Sequence, residues 1–448
     1  MFRFIHTADL HLDSPLKALR RRNADLAETI GVATRTAFER IIDKAIEEKV
    51  DALLIAGDLY DGSTREMSTG LYLADSIRRL SEAGVHTLVI YGNHDAESVV
   101  KPPFPDTDLL TVFKSKPDTV RFDEHQVAVH GASFKDAKVP DDMSPDYPDP
   151  ISGWVNIAML HTSLGGYAAH GDYAPTTAAK LTDKGYDYWA LGHVHKIDVV
   201  QKADQGKPWI IYPGIPQGRD MGETGPGQAV LGTVDNGKIT IEWFDTSPVV
   251  LERVAIDMMA AETLDDVRSD VGRMAQEAVS ASASAARRDA HTIVRLEITA
   301  PARLSSGLRR FQDELLDLVQ TNIAARSDRV AIEKISVVRS AMDSRGGDIP
   351  ATDVESSLND ETLADLLQLV ASEAAGDVDL VSAVSKDFEG LLAKLPADIR
   401  NDPGLLNAIT DLNPETSGDV SDWFATVAGE AASTLLEDVA ENGHGEIR

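Results

Sequence analysis

Five short blocks of Asp, Asn and His residues can bind metal ions, and each one directly follows an apolar stretch. They read DLH at 9–11, GD at 57–58, GNHD at 92–95, H at 161 and GHVH at 192–195. Oxygen and imidazole ligands suit Mn²⁺, Fe or Zn²⁺. The chain has 0 Cys, which excludes thiolate metal sites, disulfides and a cysteine nucleophile. Two ions about 3.5 to 4 Å apart stabilise the attacking and leaving oxygens of a phosphoester displacement. The blocks therefore predict a site at which two metal ions catalyse phosphoester hydrolysis.

The spacing inside the blocks suggests how the ligands share ions. Asp9 and His11 are two residues apart, and in an extended segment such side chains point to the same side. The same reasoning applies to His193 and His195. A carboxylate such as Asp58 can bridge two ions, so we expect it between them.

The elements that position these blocks are predicted to be strands alternating with helices. Apolar residues recur at helical spacing over 26–49 and 67–83, between apolar strands. Continuous apolar strands indicate a sheet covered on both faces, and open α/β sheets place their sites at the carboxyl ends of the strands. Strands are predicted at 2–7, 51–58, 86–95, 126–130, 155–160, 188–191, 209–212, 229–234 and 238–243.

The pattern predicts three regions along the chain. A first domain covers residues 1–248. Residues 249–342 alternate strand, helix, strand, helix and strand, which indicates a small α/β domain. Residues 343–448 read as an acidic, partly helical C-terminal region.

Charge is concentrated in that last region. The formal net charge is −30, and residues 351–448 hold 4 Lys or Arg against 21 Asp or Glu. Phosphate contacts are made by cations, so this balance opposes nucleic-acid binding by the chain as a whole. An acidic segment is more typical of a solvated or partner-binding surface.

The start of the chain lacks the apolar region of a signal peptide, and no stretch approaches about 18 apolar residues. We therefore expect a cytoplasmic protein without a membrane partner.

The blocks DLH, GDLYD, GNHD, the lone His161 and GHVH together resemble the signature of calcineurin-like metallophosphoesterases. Within that superfamily the chain is similar to SbcD-type DNA-repair nucleases, in particular the YhaO-like branch. The phrases that carry this likeness are HTADLHLDSPL at 6–16, HTSLGG at 161–166 and YPGIPQGR at 212–219. The resemblance implies a sandwich of two mixed β-sheets flanked by helices, with a small α/β capping domain and an acidic helical tail.

The resemblance also implies roles for single residues. Two divalent ions are expected, with Mn²⁺ as the first choice and Fe, Zn²⁺ or Mg²⁺ as alternatives. His94 would contact the phosphate and protonate the leaving oxygen, and Asp61 would orient His94. The first ion would be held by Asp9, His11, Asp58 and His195, and the second by Asp58, Asn93, His161 and His193.

For several other polar residues the sequence gives a weaker indication of a role at the site. Arg219 can meet a phosphate or form a surface salt bridge, and His170 can contact substrate from the loop after His161. His6 is expected to pack inside its strand rather than to bind metal, and His125 and His130 are expected to be structural or exposed. Backbone phosphate contacts are predicted for the basic run Lys17, Arg20, Arg21 and Arg22.

Two enzyme functions and one non-enzymatic function fit these features. The resemblance implies a DNA nuclease or exonuclease that hydrolyses phosphodiester bonds with metal-bound hydroxide. It also implies a role in DNA repair, a homodimer and an SMC-like coiled-coil ATPase partner, to which the acidic helices could dock. The alternative is a phosphoesterase for a nucleotide, cyclic nucleotide or other small phosphoester, which the acidic charge favours. A scaffold that keeps only the fold is opposed by the complete ligand set.

Overall fold

In the computed structural model, Met1–Asp343 form one compact unit. The structure describes residues 1–14, 16, 26–60, 67–96, 103–165, 173–283, 289–301, 304, 308, 311–324 and 329–339. The predicted acidic region, 343–448, therefore lies outside the described residues.

The first sheet has six strands in the order β12-β11-β1-β2-β3-β4. Strands β1 to β4 are parallel, whereas β11 and β12 pair antiparallel beside β1. All five residues of β2 are buried, as expected for a central parallel strand covered on both faces. The strands are β1 (Phe2–Thr7), β2 (Ala52–Ala56), β3 (His86–Ile90), β4 (Leu110–Val112), β11 (Gln228–Asp235) and β12 (Lys238–Asp245).

The second sheet also has six strands, in the order β5-β6-β7-β8-β10-β9. Its central strands are parallel and both edge strands are antiparallel. The strands are β5 (Asp118–Phe122), β6 (Val127–Gly131), β7 (Val155–His161), β8 (Tyr188–Gly192), β9 (Asp198–Gln201) and β10 (Trp209–Tyr212).

The two sheets pack face to face through one hydrophobic core. Phe4 and Leu54 of the first sheet meet Ile157 and Tyr188 of the second. The alternate residues of the same strands face outward, where they are covered by helices. The predicted sandwich of two mixed sheets flanked by helices is thus confirmed. The helices are α1 (Ala27–Gly31), α2 (Ala33–Glu47), α3 (Met67–Glu82), α4 (Asn93–Ala96) and α5 (Ala178–Asp183).

The sequence prediction differs from the structure in two local features. The single helix expected over 26–49 is two helices, because Val32 leaves the helical conformation with ψ of 7°. Strands β4, β5 and β9 were not predicted. They are short and only partly buried, at or next to sheet edges, so they lack the apolar runs that marked the other strands.

A third, parallel sheet follows, in the order β13-β14-β15. Two helices cover it, and the apolar residues between helices and sheet, including Val271, Leu296 and Val319, form a hydrophobic cluster separate from the sandwich core. The elements are β13 (Val249–Asp257), α6 (Leu264–Ala283), β14 (His291–Ala300), α7 (Gln312–Ala324) and β15 (Val330–Arg339).

Candidate metal centre

The predicted ligands meet where the parallel strands of both sheets end. Backbone hydrogen bonds join the segments that carry them: the Asp9 N–H donates to Gly57 O at 2.9 Å, and the His11 N–H donates to Asp58 O at 3.1 Å. The segment after β8 joins them, because the His193 N–H donates to both carboxylate oxygens of Asp9 at 3.0 and 3.1 Å. Loops from both sheets are thereby locked together at one edge of the sandwich.

The backbone that presents these side chains is left-handed rather than extended. The φ angles are 52° at Asp9, 39° at His11, 53° at Asp58 and 98° at His193. Positive φ is uncommon for residues other than glycine, and it clusters at functional sites. The prediction that Asp9 and His11, and likewise His193 and His195, lie in extended segments was therefore wrong, although the side chains of Asp9 and His11 do meet. His193 and His195 diverge toward different groups of ligand atoms.

One group of potential ligands consists of Asp9, His11 and His195. Each offers one ligand atom, and these atoms all lie within 4.8 Å of one another. The Nε2 atoms of His11 and His195 are 3.2 Å apart. Two imidazole nitrogens at this distance repel unless one carries a proton or both face a cation.

A second group consists of Asp9, Asp58 and His161, again with ligand atoms within 4.8 Å of one another. The Asp58 Oδ2 atom lies 3.5 Å from His161 Nε2 and 4.0 Å from His11 Nε2, so it faces both groups. Asn93 Oδ1 lies 3.1 Å from His161 Nε2, and the His193 ring is 5.2 Å from the His161 ring.

Burial and close charges shift the protonation of this cluster. Burial raises the pKa of Asp9 to about 6, against the opposing pull of the His161 and His195 imidazoles. Burial also disfavours charged Asp58 and His161, but their mutual attraction outweighs it. The pKa of Asp58 is therefore lowered, and that of His161 is raised to about 9. The carboxylates thus favour positive charge at His161, which a divalent cation can supply in place of a proton, whereas burial lowers the pKa of His11.

The donor set fits a pair of divalent cations. It consists of carboxylate oxygens, an amide oxygen and imidazole nitrogens, without sulfur, and most of these side chains are buried. His161 Nδ1 donates to Ala56 O at 2.9 Å, which fixes the tautomer with Nε2 toward Asp58. Buried charged groups are stable only when they are paired or bound to metal, and this cluster allows both.

Glycines allow the two sheets to approach at this edge. A Cβ at Gly192 would lie 1.9 Å from Ala56 O, and a Cβ at Gly92 would lie 2.3 Å from Asp58 Oδ1. Gly57 has φ of 96°, a conformation that favours glycine. The glycines in the GD, GNHD and GHVH blocks are therefore needed to bring the ligands together.

His94 lies beside the ligand cluster and is half-buried. Its backbone N–H donates to Asp58 Oδ1 at 3.0 Å, and its ring centre is 5.0 Å from that of His11. Asp61, predicted to orient it, lies outside the described residues.

Asp95 is a structural contributor to which the sequence analysis gave no role. Its carboxylate accepts hydrogen bonds from the backbone N–H groups of Leu59 at 3.0 Å, Tyr60 at 3.3 Å and Gly92 at 3.1 Å. Burial, together with the charge of Asp58, raises the pKa of Asp95 to about 7. Asp95 thus ties the loop after β2 to the loop after β3. Its signal was its place as the fourth residue of the GNHD block.

Glu223 was also missed. Its Oε1 atom lies 2.7 Å from His195 Nδ1, and its side chain is 14% exposed. Burial opposes its charge, but hydrogen bonds from His195 and Arg219 lower the pKa of Glu223. Glu223 belongs to no block and follows His195 by 28 residues, so no local signal identified it.

The remaining predicted site residues divide between described and undescribed parts of the chain. Arg219 forms an ion pair with Glu223 at 2.8 Å, as in the salt-bridge alternative, and its Nη2 lies 3.1 Å from His195 Nδ1. His6 and His130 are buried away from the ligands, and His125 lies 3.4 Å from Asp51. The predicted substrate contacts outside the described residues are His170, Lys17, Arg20, Arg21 and Arg22.

The described helices include none that is long and apolar enough to cross a membrane.

Two family models match the chain. Residues 2–197 match the calcineurin-like phosphoesterase family, and residues 252–339 match the middle domain of the metallophosphoesterase YhaO. The first match contains every predicted metal ligand. The second covers the three-stranded sheet and its two helices almost completely.

Several known sequences are similar to this chain. The uncharacterized metallophosphoesterase YhaO of Bacillus subtilis is 32% identical over 71% of this chain and 77% of its own length. The DNA double-strand break repair protein Mre11 of Methanopyrus kandleri is 32% identical over 48% of this chain and 49% of its own length. Mre11 of Haloferax volcanii is 27% identical over 60% of this chain and 58% of its own length. The chain thus spans about half the length of these Mre11 relatives. The families and the extent of the YhaO match show that this chain belongs to the calcineurin-like metallophosphoesterases, in the YhaO-like branch, and is a metal-dependent phosphoesterase.

Proposed function

We propose that this protein is a DNA nuclease that hydrolyses phosphodiester bonds with the help of two divalent ions, with Mn²⁺ as the first choice. The observation that carries the proposal is the buried cluster of carboxylates and imidazoles at the strand ends, in two groups that share Asp9. The similarity to Mre11 proteins, which are named for DNA double-strand break repair, supports DNA as the substrate class.

The geometry supports a division of ligands between two ions. One ion would be held by Asp9, His11 and His195. The other would be held by His161 together with Asn93 and His193, and Asp58 would serve both because its carboxylate faces both groups. Two bound ions would activate water and stabilise the oxygens at phosphorus during displacement.

The residues of the chain would then orient the substrate and move one proton. His94 is half-buried beside the cluster, with its ring centre 5.0 Å from that of His11. We propose that His94 Nε2 or Nδ1 donates a proton to the leaving oxygen, with Asp61 as its orienting partner. Arg219, His170 and the basic run Lys17, Arg20, Arg21 and Arg22 would contact substrate phosphates.

The rest of the chain would control access and partners. We propose a catalytic domain at 1–248, a capping domain at 249–342 and a partner-binding region at 343–448. An SMC-like coiled-coil ATPase and a second copy of the chain are the proposed partners. A cytoplasmic location is part of the same proposal, since the DNA and the ATPase would be found there.

A specific observation favours the alternative, a phosphoesterase for a nucleotide or other small phosphoester. The formal net charge of −30 repels polyanions at long range. Salt weakens this objection, because the Debye length is about 8 Å at physiological ionic strength. A local basic surface can therefore bind DNA in spite of the acidic region.

The test is hydrolysis of an end-labelled DNA duplex and of bis-p-nitrophenyl phosphate, side by side, with Mn²⁺ and with EDTA. Cleavage of both substrates only with Mn²⁺ would support the nuclease. Cleavage of the small diester alone would favour the small-phosphoester alternative, or a nuclease that needs its ATPase. Repeating the assay with an SMC-like coiled-coil ATPase from the same organism added would separate these two.

A further inference from the structure

Glu223 lies behind His195, on the side of the imidazole away from the other ligands. The His195 Nδ1–H donates to Glu223 Oε1 at 2.7 Å, while His195 Nε2 lies 3.2 Å from His11 Nε2. A proton on Nδ1 leaves the lone pair on Nε2, which is the atom that faces His11. The carboxylate therefore selects the tautomer that a metal ligand needs.

The Glu223 carboxylate is itself held in place. Oε2 accepts from the backbone N–H of Arg219 at 2.7 Å, and Oε1 accepts from Arg219 Nη2 at 2.8 Å. The guanidinium also lies 3.1 Å from His195 Nδ1. Without the carboxylate, this positive charge would stand beside a ligand of a cation and oppose cation binding.

The loop that carries Glu223 is fastened to the first strand of the third sheet. The Gly225 N–H donates to Leu251 O at 2.8 Å, and Arg253 Nε donates to Met221 O at 2.8 Å. Met221 also packs in a hydrophobic cluster with Leu251. The position of Glu223 is thus set by β13 and not only by the two sheets of the sandwich.

A cavity of about 680 Å³ borders this loop, lined by His195, Glu223 and residues 224–227 among others. The loop therefore has open space on one side, and on the other side it is held by its hydrogen bonds to β13 and by the packing of Met221.

We propose that Glu223 is a positioning residue that holds His195 as a ligand of the ion shared with Asp9 and His11, from a loop anchored on β13. This inference rests on the proposed dinuclear site, but it does not depend on which phosphoester is the substrate. Carboxylates that hydrogen-bond to ligating histidines typically change metal affinity or activity by about 10- to 100-fold when they are lost.

The test is titration of the metal-free full-length protein with Mn²⁺, followed by EPR and calorimetry, for wild type and Glu223→Gln. The substitution keeps the size of the side chain and removes its charge. We expect wild type to bind two ions, and the variant to bind one of them about 10-fold or more weaker while the other changes little. Glu333→Gln is the matched control, because Glu333 is a buried carboxylate paired with Arg295 at 2.9 Å on the third sheet.

The control should lose thermal stability and keep both Mn²⁺ affinities. The inference would be overturned if Glu223→Gln bound both ions as tightly as wild type, or if Glu333→Gln lost the same affinity. Wild type that bound no Mn²⁺ would overturn the proposed function as well. Wild type that bound two ions but did not cleave DNA, even with the SMC-like ATPase added, would leave this inference standing and refute only the nuclease.

Discussion

His6 offers a quantitative test of how the interior beneath the metal centre is built. The side chain is fully buried, its Nδ1 lies 3.0 Å from the Tyr188 hydroxyl, and its Nε2 lies 3.1 Å from Leu191 O. A neutral imidazole satisfies both contacts, with Nε2–H donating to the carbonyl and Nδ1 accepting from the hydroxyl. Burial lowers the pKa of His6 from 6.5 to about 3, in spite of the hydrogen bond to Leu191.

This shift makes folding stability depend on pH. Below pH 6.5 the unfolded chain binds a proton at His6 that the folded chain excludes, so stability falls as pH falls toward 3. One pKa unit corresponds to about 1.4 kcal/mol. Between about pH 7 and about pH 5, His6 should therefore cost about 2 kcal/mol of the free energy of unfolding.

The assay compares wild type with His6→Gln, whose amide can accept from Tyr188 and donate to Leu191 but cannot titrate. Urea unfolding of the metal-free proteins at both pH values gives, for wild type and for the variant, the stability lost between the higher and the lower pH. Wild type should lose about 2 kcal/mol more than the variant, because the other titrating groups cancel in the difference. Equal losses in the two proteins would show that His6 does not stay neutral in the folded protein at the lower pH.

Four further outcomes follow from the structure. His94→Ala should lower turnover of bis-p-nitrophenyl phosphate by about 10²- to 10⁴-fold while Mn²⁺ content is unchanged, and full activity would remove the acid role. Gly192→Ala should destabilise the fold, seen as a lower melting temperature, because its Cβ would lie 1.9 Å from Ala56 O; Gly165→Ala, with its nearest atom 3.9 Å away, should not. Deleting residues 351–448 should spare hydrolysis of the small diester, and lost activity with lost melting would show that this region completes the core. EDTA should abolish hydrolysis and Mn²⁺ restore it; activity that persists in EDTA would contradict a metal-dependent site.

Because the Glu223 loop is anchored on the third sheet, the position of that sheet would affect the metal centre. A shift of β13 would move the Met221 and Gly225 backbone, and with it the carboxylate behind His195. A partner that displaced the third sheet could thereby change metal binding without touching any ligand.

Strong apolar patterns in the amino-acid sequence were sufficient to predict the central strands, and the polar blocks were sufficient to predict the residue types of the metal centre. Strands β1, β2, β7 and β8 are buried on both faces, so their apolar runs were visible, and the polar blocks follow them directly. The carboxyl ends of parallel strands lie at one edge of a sheet, which is why the sequence predicted that the blocks converge, whereas the division of ligands between two ions was implied by the family resemblance. The grouping of Asp9 with Asp58 and His161 comes from the structure.

The backbone conformation of those residues and the side chains that support them depend on tertiary contacts. The left-handed backbone at Asp9 and His193 depends on hydrogen bonds between loops of two different sheets, which no local pattern encodes. Asp95 contacts Leu59, 36 positions away in sequence, and Glu223 contacts His195, 28 positions away. Edge strands such as β5 and β9 have little buried surface, so only their pairing with a neighbouring strand identifies them. Local sequence patterns report which residues are buried and which are polar, whereas contacts distant in sequence arise only when the sheets pack together.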